Sequence, residues 1–491
     1  MNAVHDVHGY PRVPHVAGDI QGLRNNSPDG KPVFRSEYGI GSAVHLPRVV
    51  RHFEQLGAEY ADDAKDYRAK LDRFMGDWEK WHMAEAFASP EDYFDQCLRK
   101  NAALRTLEFN AVRSDPNVIG HSITGTVDVG PLGEGLFTTF REPKPGIVDA
   151  AFDGWAPLRW CLFAEPVHIY RGAKAKLEAV LTNEDVLKPG EYPARLQVIG
   201  PNNTRVFERS IKVNVPGPNG SHEPPFALPV FSEEVKIDGP AGDYRFLAVF
   251  EKGAAAAGGE IGFYVSDPKD LPSVDTEVVL WGENAELSKW LSDHGVKVRP
   301  FTPGIPTHRE VILASTNPAS PGGAEAFREL ASHIARGSTA VFLSPGVFKK
   351  EADTSAWIPL ENKGRLNLIH GWVYPKDEWA KNHPIFDGLP AGGLMDYTFY
   401  REIIPDEVWA DQDAPAEAVA AAIESSYLHV SGLMLSVNDL GAGRFILNSL
   451  HITENLGKNP AADRLLLICS AMPDGTRTSL LWRCLRTSTN R

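Results

Sequence analysis

At 491 residues the chain is too long for one ordinary core, and three domains is the natural expectation. A composition 43% hydrophobic and 23% charged describes a globular protein and excludes a disordered one. The formal net charge of -14 argues against a nucleic-acid-binding surface and favours neutral partners.

Four cysteines (Cys97, Cys161, Cys469, Cys484) are scattered without a C-x-x-C pair, which speaks against a zinc knuckle or a disulfide framework. Cys97 sits on an apolar helical face and reads as a buried structural thiol. His5, His8 and His15 are spaced unlike metal ligands on one element, so neither a metal nor a cofactor is expected. The N-terminus shows no apolar signal region, and no run of about 18 apolar residues occurs. The expected setting is cytoplasmic, with no membrane partner.

Residues 1 to about 30, rich in Pro, Gly, Asn and His, read as loop. The functional reading turns on Lys31 to Gly41, KPVFRSEYGIG. Here a short apolar run ends at Val33 and Phe34, and Arg35, Ser36, Glu37 and Tyr38 lead into Gly39 and Gly41. A carboxylate at a strand end, followed by an aromatic residue and glycines, suits a (β/α)8 barrel, whose catalytic groups sit at C-terminal strand ends. Leu46 to Phe74 reads as one long helical stretch, with Val49, Phe53 and Leu56 at helical spacing. Trp78, Trp81 and Met83 read as a short strand. Ser89-Pro90-Glu91-Asp92 has the cap, the early proline and the first-turn acids of a helix start. A last strand is expected within Asn117 to Pro145, with Asp128 at its end and Glu134 in the Gly133-Glu134-Gly135 loop. Residues 1–150 thus read as a partial (β/α)8 barrel, its last three strands only.

From 151 to 270 the pattern alternates apolar and polar residues, as in Ala175–Ala179, Ala194–Val198 and Ile211–Val215, with Pro/Gly turns between. That reads as an immunoglobulin-like β-sandwich. From 275 to 491, buried strands such as Glu277–Trp281 and Thr339–Leu343 alternate with helices such as Ala324–Arg336. This is the grammar of a doubly wound, flavodoxin-like parallel sheet. The fold class expected is therefore multidomain α/β plus β.

The pattern P-x-F-x-S-E-Y-G resembles the nucleophile segment of glycoside hydrolase family 2, which includes β-galactosidases, β-glucuronidases and β-mannosidases. Asn117–Pro145 resembles that family's eighth strand and closing loop. The resemblance implies a retaining hydrolase of β-linked sugars, most plausibly β-galactosidase-like, with Glu37 as nucleophile. For a carbohydrate substrate, Arg35 and Tyr38 are expected to orient Glu37, Trp78 and Trp81 to stack on a sugar face, and Asp128 and Glu134 to stand on the substrate side. The third region resembles a class I glutamine amidotransferase-like domain, also found as an accessory unit in large galactosidases. Its turn, Leu343-Ser344-Pro345-Gly346, has no cysteine, and His451 and Glu454 lack the His-x-Glu spacing. Pro345 also has no N–H for an oxyanion hole beside Ser344 and His451. Its expected role is structural or oligomeric.

A complete barrel takes eight strands and about 250 residues, and the family's fourth-strand acid/base has no counterpart. Glu85 and Glu91 are weaker candidates for it. Two functions stay open: a hydrolase whose barrel is completed by a partner subunit or another segment, and a non-catalytic remnant used in binding or assembly. Three strands of a barrel expose apolar edges and faces, so a homo-oligomer is expected.

Overall fold

The computed structural model describes residues 4–472, less 28, 220–222, 307, 317–322, 370–373 and 375. The first region opens on regular structure where loop was expected. Strand β1 (His5–Gly9) and helix α1 (Ala17–Arg24) precede β2 (Val33–Tyr38). There follow α2 (Leu46–Gln55), α3 (Asp62–Lys80), α4 (Pro90–Arg113), β3 (Val118–Ile123) and α5 (Ile147–Gly154). β1, β2 and β3 form a parallel sheet with β2 in the middle. The composition of β1, HDVHG, hides it from a propensity reading, and pairing with β2 supplies what propensity does not.

Three further differences have local causes. The stretch Leu46–Phe74 is two helices, because α2 ends at Gln55, Leu56 caps it and Gly57 follows at φ 62°. The strand expected around Trp78 is helical, since Tyr67, Phe74 and Trp78 line one buried stripe of α3; Met83–Glu85 is a 3-10 turn. β3 ends at Ile123, so Asp128 lies in the loop after it and not at a strand end. The helix start at Ser89 is as expected: the Ser89 hydroxyl accepts the Asp92 N–H at 3.2 Å.

The second region is a two-sheet sandwich. One antiparallel sheet carries Leu158–Glu165, Lys174–Asn183 and Ala227–Lys236. The other carries His168–Tyr170, Glu260–Ser266, Gly242–Phe250, Gly190–Ile199 and Arg205–Val215. Alternate residues, among them Leu177, Ala179, Leu196, Val198 and Phe246, fill the core between them. The third region is built on a mixed sheet. Val298–Pro300, Val278–Trp281, Val311–Ala314, Thr339–Phe342 and Gly443–Asn448 run parallel in that order. His429–Leu440, Glu417–Ser425 and Asp377–Ala380 extend the sheet antiparallel. The doubly wound reading therefore fits half of this sheet. Among the described residues, no helix is long and apolar enough to cross a membrane.

The regions share cores. Phe74, Trp78, Trp81, Phe94 and Cys97 pack with Trp379, Ala421, Ile423 and Leu433 of the third region. One face of the small parallel sheet (Val33, Tyr38, Val118) packs on Ala111 and Val112 of α4 and on Cys161, Phe163 and Val180 of the sandwich. The other face is open: Asp6 and His8 are more than half exposed, and Phe34, 42% exposed, lies over Gly120. Both β1 and β3 are edge strands among the described residues.

Lys100 of α4 reaches Asp377 at 2.8 Å and Glu378 at 2.9 Å, with both carboxylates almost fully buried. Removing one member of a buried ion group strands the rest. Lys100→Ala should therefore lower stability by about 3–5 kcal/mol, read as a fall in the urea midpoint. An unchanged midpoint would mean that this contact does not hold the two regions together.

Candidate active site at the strand ends

Three parallel strands bring their C-terminal ends side by side, and each contributes to one small cluster. His8 and Tyr10 come from β1 and the residue beyond it, Glu37 from β2, and Thr124 from just after β3. The Tyr10 hydroxyl donates to Glu37 Oε1 and lies 3.1 Å from Thr124 Oγ1. His8 Nδ1 is 3.4 Å from Glu37 Oε2, and its Nε2 is 3.6 Å from Asp6. Burial, and then the hydrogen bond to Glu37, push the Tyr10 phenol up to about 12, so it stays a donor across the neutral range. Glu37 itself is 36% exposed. It is a carboxylate held from one side and reachable from solvent.

The residues expected around it divide. Glu134 is half-buried near the cluster, and burial followed by the charge of Glu37 raises its carboxyl. Arg35 and Tyr38, by contrast, belong to the strand's underside, not to a substrate surface. Arg35 is 3% exposed and its guanidinium donates to Asn26. Tyr38, 1% exposed, has its hydroxyl 2.9 Å from His121 Nδ1. Strand alternation puts Arg35 with Val33 on the covered face, and an irregularity in the register between Arg35 and Tyr38 brings Tyr38 to the same side. Trp78 and Trp81 are buried against the third region and present no ring face to a sugar.

Asp128 is also buried, 2.7 Å from Lys144 Nζ, and accepts the Gly135 N–H at 2.8 Å. Lys144 donates further to Ser42 Oγ and the Gly133 carbonyl. That network latches the loop between β3 and α5, and burial pushes the Lys144 ammonium down to about 8. Glu85 and Glu91 are engaged elsewhere, by Lys381 and Arg51. In the third region, Ser344 Oγ accepts the Gly346 N–H and caps a 3-10 turn. Cys97, Cys161 and Cys469 are buried free thiols, and Cys484 lies outside the described residues.

Sequence alone does not point to His8, Tyr10 and Thr124, because β1 has the composition of a loop and β3 ends at Ile123, short of the strand expected to reach Asp128. It also passes over Arg105. This arginine, 1% exposed, donates from Nη2 to the Ile40 carbonyl at 2.7 Å and to the Glu134 carbonyl. It thereby ties the loop after Glu37 to the loop after β3. Gly39, at φ 146°, leaves room for it: a Cβ there would lie 3.0 Å from Arg105 Nη1. The available signal was Asn101, Arg105 and Glu108 at i, i+4 and i+7 on an otherwise apolar helix face.

No protein-family model matches the chain, and no curated protein does. Among solved structures, a glycosyl hydrolase family 2 member from Bacteroides cellulosilyticus is 12% identical, with 38% of this chain and 25% of that one covered, at a TM-score of 0.17. The β-glucuronidase of Parabacteroides merdae is 9% identical over 37% of this chain and 28% of its own, at 0.16. An alkylpurine DNA glycosylase from Pseudomonas fluorescens, of quite different activity, scores equally at 0.17, with 11% identity over 25% of this chain and 38% of that one. The chain spans about a quarter of the length of the two sugar hydrolases. Scores of this size carry no argument for any one of these activities.

Behind the cluster, Glu108 is buried beside Arg105 and Arg35, with His15 at 3.8 Å. Burial pushes its carboxyl from 4.5 up to about 7, and the two guanidinium charges offset only part of that. A folded value above the unfolded one means stability present at acid pH and lost as pH rises through about 7. Between about pH 5 and about pH 8, wild type should therefore lose about 3 kcal/mol relative to Glu108→Gln. Paired urea titrations across that range check it, and a flat difference would mean that Glu108 is ionised throughout in the fold.

Proposed function

We propose that this chain carries the nucleophile half of a retaining β-glycoside hydrolase, with Glu37 as the attacking carboxylate. One observation carries the reading: a part-exposed Glu at the C-terminal end of the central parallel strand, one oxygen held by the Tyr10 hydroxyl. In the proposed step the Glu37 carboxylate attacks the anomeric carbon and the bond to the leaving oxygen breaks. Tyr10 keeps the carboxylate oriented without taking its charge, and the open sheet face leaves room for a sugar. The S-E-Y-G segment makes β-galactoside the first substrate class to try.

A second reading rests on a different observation. Among the described residues the sheet has one uncovered face and two free edges, and parallel sheets are ordinarily covered on both faces. That supports a chain used in binding or assembly, and it supports self-association under either reading. Light scattering tests self-association, and a monomer at all accessible concentrations would count against it.

The deciding experiment is hydrolysis of a panel of aryl β-glycosides by wild type, Glu37→Gln and Tyr10→Phe. Glu37→Gln should lose about 10³-fold or more in kcat/KM. Tyr10→Phe should lose about 10–100-fold, the worth of a hydrogen bond to a charged group. Activity that survives Glu37→Gln would move the site elsewhere. No activity in wild type would favour the binding or assembly reading.

A further inference from the structure

A retaining hydrolase needs a second carboxyl group that gives a proton to the leaving oxygen and later takes one from water. Glu134 stands beside the cluster that holds Glu37, and three contacts link the segments that bear them. Tyr10 bridges Glu37 and Thr124. The next residue, Gly125, at φ 78°, has the Glu134 side chain against it, since a Cβ at Gly125 would lie 2.8 Å from Glu134 Cγ. From behind, Arg105 holds the Ile40 and Glu134 carbonyls with one guanidinium. The loop that follows Glu37 and the loop that bears Glu134 are thus fixed to each other by a buried side chain.

Resting on the assignment of Glu37 as nucleophile, we propose that Glu134 is the second catalytic carboxyl group of this site and that Arg105 is its positioning residue. As Glu37 bonds to the anomeric carbon, the Glu134 carboxyl proton passes to the departing oxygen. Water then loses a proton to the Glu134 carboxylate, its oxygen bonds to the anomeric carbon, and the bond to Glu37 breaks. The surroundings suit an acid. The group is half-buried, Glu37 and Asp128 oppose its ionisation, Arg105 and Lys144 favour it, and the balance raises it. Tyr10 feels both carboxylates. Pairs of carboxyl groups held at different ionisation states are how such sites divide acid and nucleophile.

The test uses the full chain with wild type, Glu37→Gln, Glu134→Ala, Glu134→Gln and Arg105→Lys, each checked for folding by circular dichroism. For glycosides with poor leaving groups, Glu134→Ala should lose about 10²–10⁴-fold. A dinitrophenyl glycoside, which needs no proton on departure, should still form the glycosyl-enzyme. Added azide should then speed turnover and give the β-glycosyl azide. Glu134→Gln should lose the alkaline limb of the wild-type pH profile. Arg105→Lys should lower kcat more than it raises KM, and more for poor leaving groups than for good ones. Wild type active, Glu37→Gln dead and Glu134→Ala unchanged, or slow without azide rescue, would overturn the role of Glu134 alone. A wild type without activity would overturn the nucleophile assignment, and this proposal with it.

Discussion

Helix α4 is the constraint on which the rest depends. It is buried along most of its length, so the polar side chains on its buried face need partners inside the protein. Lys100 finds Asp377 and Glu378 in the third region. Arg113 donates to the Gly154 and Ala156 carbonyls and to Glu184, at the entrance to the sandwich. Between them, Asn101 and Arg105 donate to the Gly41 and Ile40 carbonyls just past Glu37. One helix therefore sets the position of all three regions and of the loop beyond the candidate nucleophile. Leaving any of these cations unpaired costs more than an ordinary surface contact returns, which makes the arrangement specific.

The same packing explains why the cluster is where it is. The sandwich and α4 cover one face of the three-stranded sheet, so Arg35 and Tyr38 are drawn into the covered side and serve the strand. His8 and Glu37, paired across β1 and β2, remain on the side that no described residue covers. Chemistry at strand ends needs a rigid support and an open approach, and here the two come from opposite faces of one small sheet.

Much of this was legible in the chain. Ser89-Pro90-Glu91-Asp92 announced α4 through capping chemistry that acts within one turn. The alternation in Ala175–Ala179 and Ala194–Val198 announced the sandwich, and Val278–Trp281 with Thr339–Phe342 announced buried parallel strands. Glu37 stood out because a carboxylate, an aromatic residue and glycines follow one another directly. Trp78 and Trp81 misled, because an aromatic side chain fits a sugar face and a domain interface equally well, and sequence does not say which surface will be near.

By itself the sequence determined what depends on neighbours within a turn or a strand: element type, caps, and the presence of a carboxylate at a strand end. The tertiary structure alone decided that Tyr10 would meet Glu37, that Arg105 would join the loop after Glu37 to the loop that bears Glu134, and that Asp128 would be taken up by Lys144. Those partners are set by the order of strands in the sheet and by what covers its faces. Both are fixed by burial across distant segments, which leaves no periodic trace in the chain.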